Sequence, residues 1–328
     1  MLGVNNMKEV SLKELLEAGC HFGHQTTRWN PKMKQYIFTS RDKIHIFDLV
    51  KTKQGLQKAG EFIKESVSRG EQIILVGTKR QAQDIVKAAA EKAIVPYMTR
   101  RWIGGLLTNW DMMKKRLDYL KSLKTGKIEG KFKTRTKKEN LLIDRQITKM
   151  EMDFGGVVGL EKVPEIVFVV DARKDIAAVR EGKARGAKVV AIVDTNSNPD
   201  LVDFVIPAND DATRSIQLIV DHIVEAIEEG RKEWGIKKEK EDKEKQKAIE
   251  KSEKQEEKKS GNSEQSKGKD DKMTLLRPAK DVTSEGQAGS REQLKGKDDK
   301  VKGSREQSGK KAKLKKEVKI KEAKKENK

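Results

Sequence analysis

Three runs constrain this chain more than anything else in it: QIILVGT at 72–78, EIVFVVDA at 165–172 and AKVVAIVDT at 187–195. Each is almost continuously apolar and rich in Val or Ile, the pattern of a strand buried on both faces. Amphipathic helices are expected between and after them, at 80–93, 174–185 and 213–232. Further strands are expected at 43–49 (KIHIFDL), 94–98 (IVPYM) and 203–209 (DFVIPAN). The segment 51–69 reads as a helix with Leu56, Ala59, Phe62, Ile63 and Val67 inward. Apolar strands alternating with helices predict an α/β fold, a doubly wound parallel sheet covered on both faces. A short helix precedes it in SLKELLEAG, where Ser11 and Glu14 make a capping box and Gly19 suits the stop.

The rhythm breaks between 100 and 160. Trp110, Met113, Leu117 and Leu120 recur at spacings 3, 4, 3, and Ile143, Ile147, Met150 and Phe154 at 4, 3, 4. These are narrow heptad-like seams. They predict an antiparallel helical hairpin, about 106–156, inserted into the α/β domain and turning through the basic TGKIEGKFKTRTKK at 125–138. Two surface helices packed singly on the sheet are the alternative, but these usually show a wider apolar stripe.

Composition divides the 328 residues near Trp234. From Ile236 onward there is no aromatic residue, and 31 Lys and Arg stand against 20 Asp and Glu. That segment, 235–328, cannot bury enough apolar surface to offset its ordering entropy and is expected to be a disordered, low-complexity tail. It repeats EQSKGKDDK at 264–272 as EQLKGKDDK at 292–300. The domain is expected over 11–234, behind an extension of residues 1–10. The net charge is +20, of which the tail carries +11, so the rest is basic by itself. A polyanionic partner follows, nucleic acid being the commonest. A single cysteine forms no internal disulfide, which fits a reducing compartment. No apolar run approaches the roughly 18 residues that span a bilayer, and the N-terminus carries no signal-like apolar core.

No strand leads into a Gly-rich nucleotide cradle, and no nucleophile elbow is present. GTKRQ at 77–81 offers at most one phosphate site at a helix start, with ordinary capping as the plainer role. Cys20, His21 and His24 crowd into CHFGHQTTRWNPKM at 20–33, an expected polar loop. His21 and His24 lack the spacing and the Glu of a zincin. Asp194, Asp210 and Asp211 follow successive strands and are candidate cation ligands with loop capping as the alternative. No bound metal is expected.

Two loops share Arg-Trp. Arg28 and Trp29 stand with Lys32 and Lys34, and Arg100, Arg101 and Trp102 lie in TRRWIGGLLTN at 99–109. Guanidinium groups pair with phosphates and stack on bases. With Lys114 and Lys115, and with Lys131, Lys133, Arg135, Lys137 and Lys138 at the hairpin turn, these are the expected RNA-binding residues; either Trp serves equally well as a core plug.

LLEAGCHFGHQTTRWNPKMKQYIF, RWIGGLLTN, FVVDARKD and AIVDTNSNPDLVDFVIPANDDATRSI occur in that order, and together they closely resemble the bacterial ribosomal protein S-two family over about residues 8–234. Thr27 stands where the family usually has Arg, and Leu106 where it often has Thr. The resemblance implies a flavodoxin-like domain with a protruding coiled-coil hairpin. It implies a non-catalytic, cytoplasmic role on the small ribosomal subunit without cofactor or small-molecule substrate. Small-subunit ribosomal RNA and neighbouring ribosomal proteins would be its partners, ribosomal protein S-one among them. A metal- or nucleotide-dependent enzyme, or a free RNA-binding regulator, is the alternative.

Overall fold

The first helix is the capped one the sequence announces. In the computed structural model, which describes residues 9–264, α1 spans Leu12–Glu17. The Ser11 hydroxyl accepts from the Glu14 amide, and the Glu14 carboxylate accepts from the Ser11 amide. Residues 1–8 and 265–328, and with them the repeated tail motif, lie outside the described residues.

The next segment departs from expectation. The 20–33 loop contains a strand, β1 (Phe22–Gln25), and a 3-10 turn begins at Pro31, capped by the Asn30 side chain. β2 (Ile37–Arg41) follows, then β3 (Ile44–Phe47). β3 was expected in the parallel rhythm; instead it is the centre of a separate antiparallel sheet in the order β1-β3-β2. Asp42 and Lys43 join β2 to β3 with φ of 52° and 63°. Positive φ at both central residues is the two-residue hairpin geometry, here without the usual glycine.

The main sheet is as read. α2 (Leu49–Ser68) leads to β4 (Ile73–Val76), α3 (Gln83–Ala93) and β5 (Tyr97–Met98). After the inserted helices come β6 (Ile166–Val169), α6 (Ile176–Ala184), β7 (Lys188–Val193), β8 (Phe204–Pro207) and α7 (Thr213–Glu264). All five strands run parallel in the order β5-β4-β6-β7-β8. Counting only these strands, the order is 2-1-3-4-5, the flavodoxin-like arrangement. β5 is short because Pro96 donates no hydrogen bond, and it sits at the edge where Pro is tolerated.

Alternation within the strands fills two cores. Ile73, Leu75, Ile166 and Phe168 face α2, α3 and α7, while Ile74, Val76, Val167 and Val169 face α6 and the inserted helices. Gly55 on α2 lets the helix ride on β8, because a Cβ there would meet the Val205 carbonyl at 2.6 Å.

The inserted helices are α4 (Trp110–Ile128) and α5 (Lys137–Phe154). Trp110, Met113, Leu117, Leu120, Ile143, Ile147 and Phe154 are buried, and Met150 is half-buried. Lys124 pairs with Glu151 at 2.6 Å and Lys127 with Asp144 at 2.7 Å, which sets the two helices side by side in opposite directions. α4 runs four residues into the expected turn, leaving 129–136 as the connection, and Thr136 with Glu139 caps α5.

α7 is the second departure. It was expected to stop at 232 but continues to Glu264, through residues expected to be disordered. The reason is local: 236–260 is mostly Lys, Glu, Gln and Ala, strong helix formers, with neither Gly nor Pro.

Candidate nucleic-acid interface and a buried charge cluster

The 20–33 segment is tied to the main sheet rather than shaped as a catalytic pocket. The Thr195 hydroxyl accepts from the His24 amide at 2.9 Å, and the Thr195 carbonyl accepts from the Asn30 amide at 2.7 Å. Gly23 lies so close that a Cβ would meet the Thr195 methyl at 2.6 Å. Cys20 is fully buried, and burial pushes its thiol up, away from the nucleophilic thiolate. His21 packs on Phe22 with ring centroids 4.0 Å apart, and burial lowers its pKa. Cys20, His21 and His24 therefore face three different surroundings.

His24 joins a buried charge cluster at the carboxyl ends of β4, β6, β7 and β8, the switch point where such folds hold ligands. Its Nδ1 lies 3.0 Å from Asp194 and its Nε2 3.5 Å from Asp211. Lys79 stands at the centre, 2.7 Å from Asp210, 2.6 Å from Asp211 and 3.6 Å from Asp171. Asp194 and Asp210 are each 1 % exposed. Burial alone would pull the Lys79 ammonium down, but the three carboxylates hold it above the ordinary lysine range. Burial, then Asp194 and Asp171, push the Asp210 carboxyl up to about 8 against the pull of Lys79. The hydrogen bond to Asp194 raises His24 against its own burial. Thr78 is not left for a phosphate: its hydroxyl donates to Asp175 at 2.7 Å and its amide at 3.2 Å.

The second Arg-Trp loop lies at the base of the helical pair. Arg100, Arg101, Arg145 and Lys149 line an open groove beside Met152 and Asp153. Arg100 pairs with Asp153 at 3.2 Å, and Asp144 on the same wall is taken by Lys127. Among the described residues Arg101, Arg145 and Lys149 pair with no carboxylate. Lys114 and Lys115 are exposed along α4. At the far end Lys131, Lys133, Arg135, Lys137 and Lys138 are exposed, with Lys131 paired to Glu129 and Arg135 over the Phe132 ring at 5.1 Å.

The family model described as "Ribosomal protein S2" matches residues 15–230, nearly the whole of this architecture. The chain belongs to that family. Relatives named "Small ribosomal subunit protein uS2" include one from Roseiflexus sp. (strain RS-1), 50% identical over 222 residues, 68% of this chain and 85% of the relative. One from Synechocystis sp. is 46% identical over 69% of this chain and 84% of its own length. One from Chloroflexus aggregans is 49% identical over 67% and 93%. The S2 family is structural, not enzymatic. No described helix is long and apolar enough to cross a membrane.

For this S2-family chain the expected RNA residues divide. Arg28 and Lys34 are exposed, Trp29 is at the surface beside His45 with centroids 5.1 Å apart, and Lys32 is paired with Asp200. Trp102 is turned inward: half-buried against the second core, it spends its indole N–H on Glu181 at 3.0 Å. Sequence reading missed Arg145 and Lys149, although their i, i+4 spacing puts them on one face of α5. It also missed Glu181, which lies far from the loop in sequence.

Of the candidate ligands, His24, Asp194 and Asp210 bring their ligand atoms within 4.8 Å of one another, while His21 lies apart on Phe22. The cluster already contains its own cation in Lys79. Chelation with EDTA is therefore expected to leave the thermal unfolding temperature unchanged. A drop reversed by added zinc would show instead that an ion supports the fold.

Proposed function

We propose that this chain, a structural small-subunit protein of the S2 family, acts in the cytoplasm by binding small-subunit ribosomal RNA through its phosphates. The observation that carries this is the groove between the Arg100–Arg101 loop and α5, where Arg101, Arg145 and Lys149 carry charges that no carboxylate of the described residues neutralises. Unpaired guanidinium and ammonium groups on one face suit a phosphate backbone, and each phosphate bound releases counterions. The exposed cations of the 129–136 connection add further positive charge at the far end of the helices.

Docking of ribosomal protein S-one is the second part of the proposal. The small antiparallel sheet carries Phe22 at 48% and Phe38 at 76% exposure, on strands either side of β3, with Leu12 and Leu16 of α1 also exposed. Exposed aromatic and leucine side chains suit a contact with another protein. The buried cluster has no role in chemistry here. It supplies a lysine and carboxylates in the place where an enzyme of this fold would hold its ligand.

Sedimentation tests the reading. The full chain, and a chain ended after Ser260, are both expected to co-migrate with small subunits in a sucrose gradient at physiological salt. A chain that stays at the top of the gradient while still binding RNA is a free regulator, not a subunit protein. Failure of the shortened chain alone would place a specific site beyond Ser260.

A further inference from the structure

One carboxylate organises the whole RWIGGLLTN loop. Glu181, on α6, takes the Trp102 indole N–H at 3.0 Å and the Gly105 amide at 2.8 Å on one oxygen. Its other oxygen takes the Leu107 amide at 3.1 Å, the Thr108 amide at 3.4 Å and the Thr108 hydroxyl at 3.3 Å. One helical turn on, Arg185 donates to the carbonyls of Leu107 at 2.7 Å and Thr108 at 3.2 Å. The loop is thus held by its amides and its carbonyls from a single helix. Gly105 adopts a φ of +85°, which lets its amide turn toward the carboxylate. Burial would raise the Glu181 carboxyl, but the bonds from Gly105, Trp102, Leu107 and Thr108 outweigh it and hold it below the usual range.

What this clamp holds is the proposed RNA surface. Arg101 immediately precedes the pinned Trp102, and Arg100 precedes Arg101. On the other side Thr108 leads within two residues to Trp110, where α4 begins. Fixing residues 102–108 therefore fixes the root of α4 and the loop from which Arg100 and Arg101 line the groove against α5.

We infer that Glu181 is a positioning residue for RNA binding: it acts through the 102–108 loop to set Arg100 and Arg101 against a phosphate backbone. The inference rests on the RNA-binding reading above. It makes an unusual demand. Glu181 is an acid close to the site of a polyanion, and by charge alone its removal strengthens binding. Weaker binding after its neutralisation can come only from lost positioning.

The test uses the full chain and small subunits stripped of this protein, over a series of KCl concentrations. Glu181→Gln keeps the size, but its NH2 faces amide donors where a carboxylate oxygen accepted them. It is expected to lose hydrogen-exchange protection at Gly105, Leu107 and Thr108 and to bind about tenfold more weakly. Its salt slope is expected to fall toward that of an Arg100→Ala/Arg101→Ala variant, by about 0.7–0.9 for each phosphate no longer bound. Added to that double variant, Glu181→Gln is expected to cost little more, because it acts through the same arginines. Trp102→Phe, which removes one donor and no charge, is the milder variant if the Gln protein does not fold, and is expected to weaken binding severalfold. Parental or tighter binding by folded Glu181→Gln, or fully additive losses, overturns this inference alone. Parental binding by the Arg100, Arg101 double variant overturns the reading of the groove as an RNA surface, and this inference with it.

Discussion

Replacing Lys79 by Met is expected to destabilise the folded chain by about 3–5 kcal/mol, the cost of leaving a buried charge without its partner. Lys79 is one cation among Asp171, Asp210 and Asp211, and the Asp210 carboxylate is 1 % exposed. Met fills most of the space but supplies no charge and no donor, so at least one carboxylate is left desolvated and unpaired. Domains are stable by only about 5–15 kcal/mol, so the variant stands near the edge of folding at 37 °C. Denaturant unfolding measures it directly. Asp171→Asn placed on top of Lys79→Met is expected to restore part of the loss, since it removes one of the carboxylates that Lys79 faces. A Lys79→Met protein within about 1 kcal/mol of the parent would show that the cluster does not act as a unit.

The same cluster gives a pH dependence whose sign can be worked out. Asp210 is pushed up to about 8 in the fold, against about 3.9 for a free side chain. The folded state therefore holds a proton that the unfolded chain has released. Its contribution to stability is complete below about pH 4 and is lost as pH rises through about 8. His24, raised by Asp194, works in the same direction above its ordinary range. His21, His45 and His222 oppose it, because burial lowers each of them and their contribution is lost as pH falls. The difference in stability between the parent and Asp210→Asn isolates one group from the rest. That difference is expected to fall steadily between pH 5 and 8, by at most about 1.4 kcal/mol per pH unit. A flat difference would mean that Asp210 stays ionised as the partner of Lys79 throughout.

How legible these features were follows from where their partners lie. β4, β6 and β7 announced themselves because a strand covered on both faces has no polar side to confuse the pattern. The seams of α4 and α5 were equally plain, since burial fell on the spaced residues themselves. β1 and β2 were not legible. β1 is four residues long and half-exposed, and β2 is five residues long, mostly exposed and joined to β3 through Asp42 and Lys43 rather than a glycine turn. α7 outran its expected end because the segment after it read as disordered from its lack of apolar residues, whereas its helix formers carried the helix on. The cluster was legible in part. Asp194, Asp210 and Asp211 stood out at strand ends, but nothing local marks Lys79 as their shared counterion. Glu181 was invisible for the same reason: its donors lie 73 to 79 positions away. Patterns of period 2 and 3.6 reveal what one element buries, not which distant side chain completes a loop.

The Arg100→Ala/Arg101→Ala variant is expected to lose incorporation into small subunits while remaining folded. Both side chains are exposed, and neither supports the core. Arg100 pairs with Asp153 at 3.2 Å, an exposed pair on the guanidinium side that contributes about 1 kcal/mol at most. Thermal stability should therefore change little. Binding loses more than two attractive charges, because Asp153, freed of Arg100, adds a repulsive one to the groove. Each phosphate neutralised contributes about 0.7–0.9 to the slope of log affinity against log salt, so that slope is expected to fall by about 1.4–1.8. The loss in affinity should accordingly be greatest at low salt and narrow as salt rises. The charge-retaining variant Arg101→Lys separates charge from geometry: it should keep the salt slope and lose affinity only where a planar, bidentate fork is needed. Arg145→Ala/Lys149→Ala, on the opposite wall, is expected to reproduce the slope change without touching the loop. If the Arg100, Arg101 variant unfolds, the arginines are structural. If it folds and incorporates normally with an unchanged slope, the groove does not face RNA, and the exposed cations of the 129–136 connection must carry the binding alone.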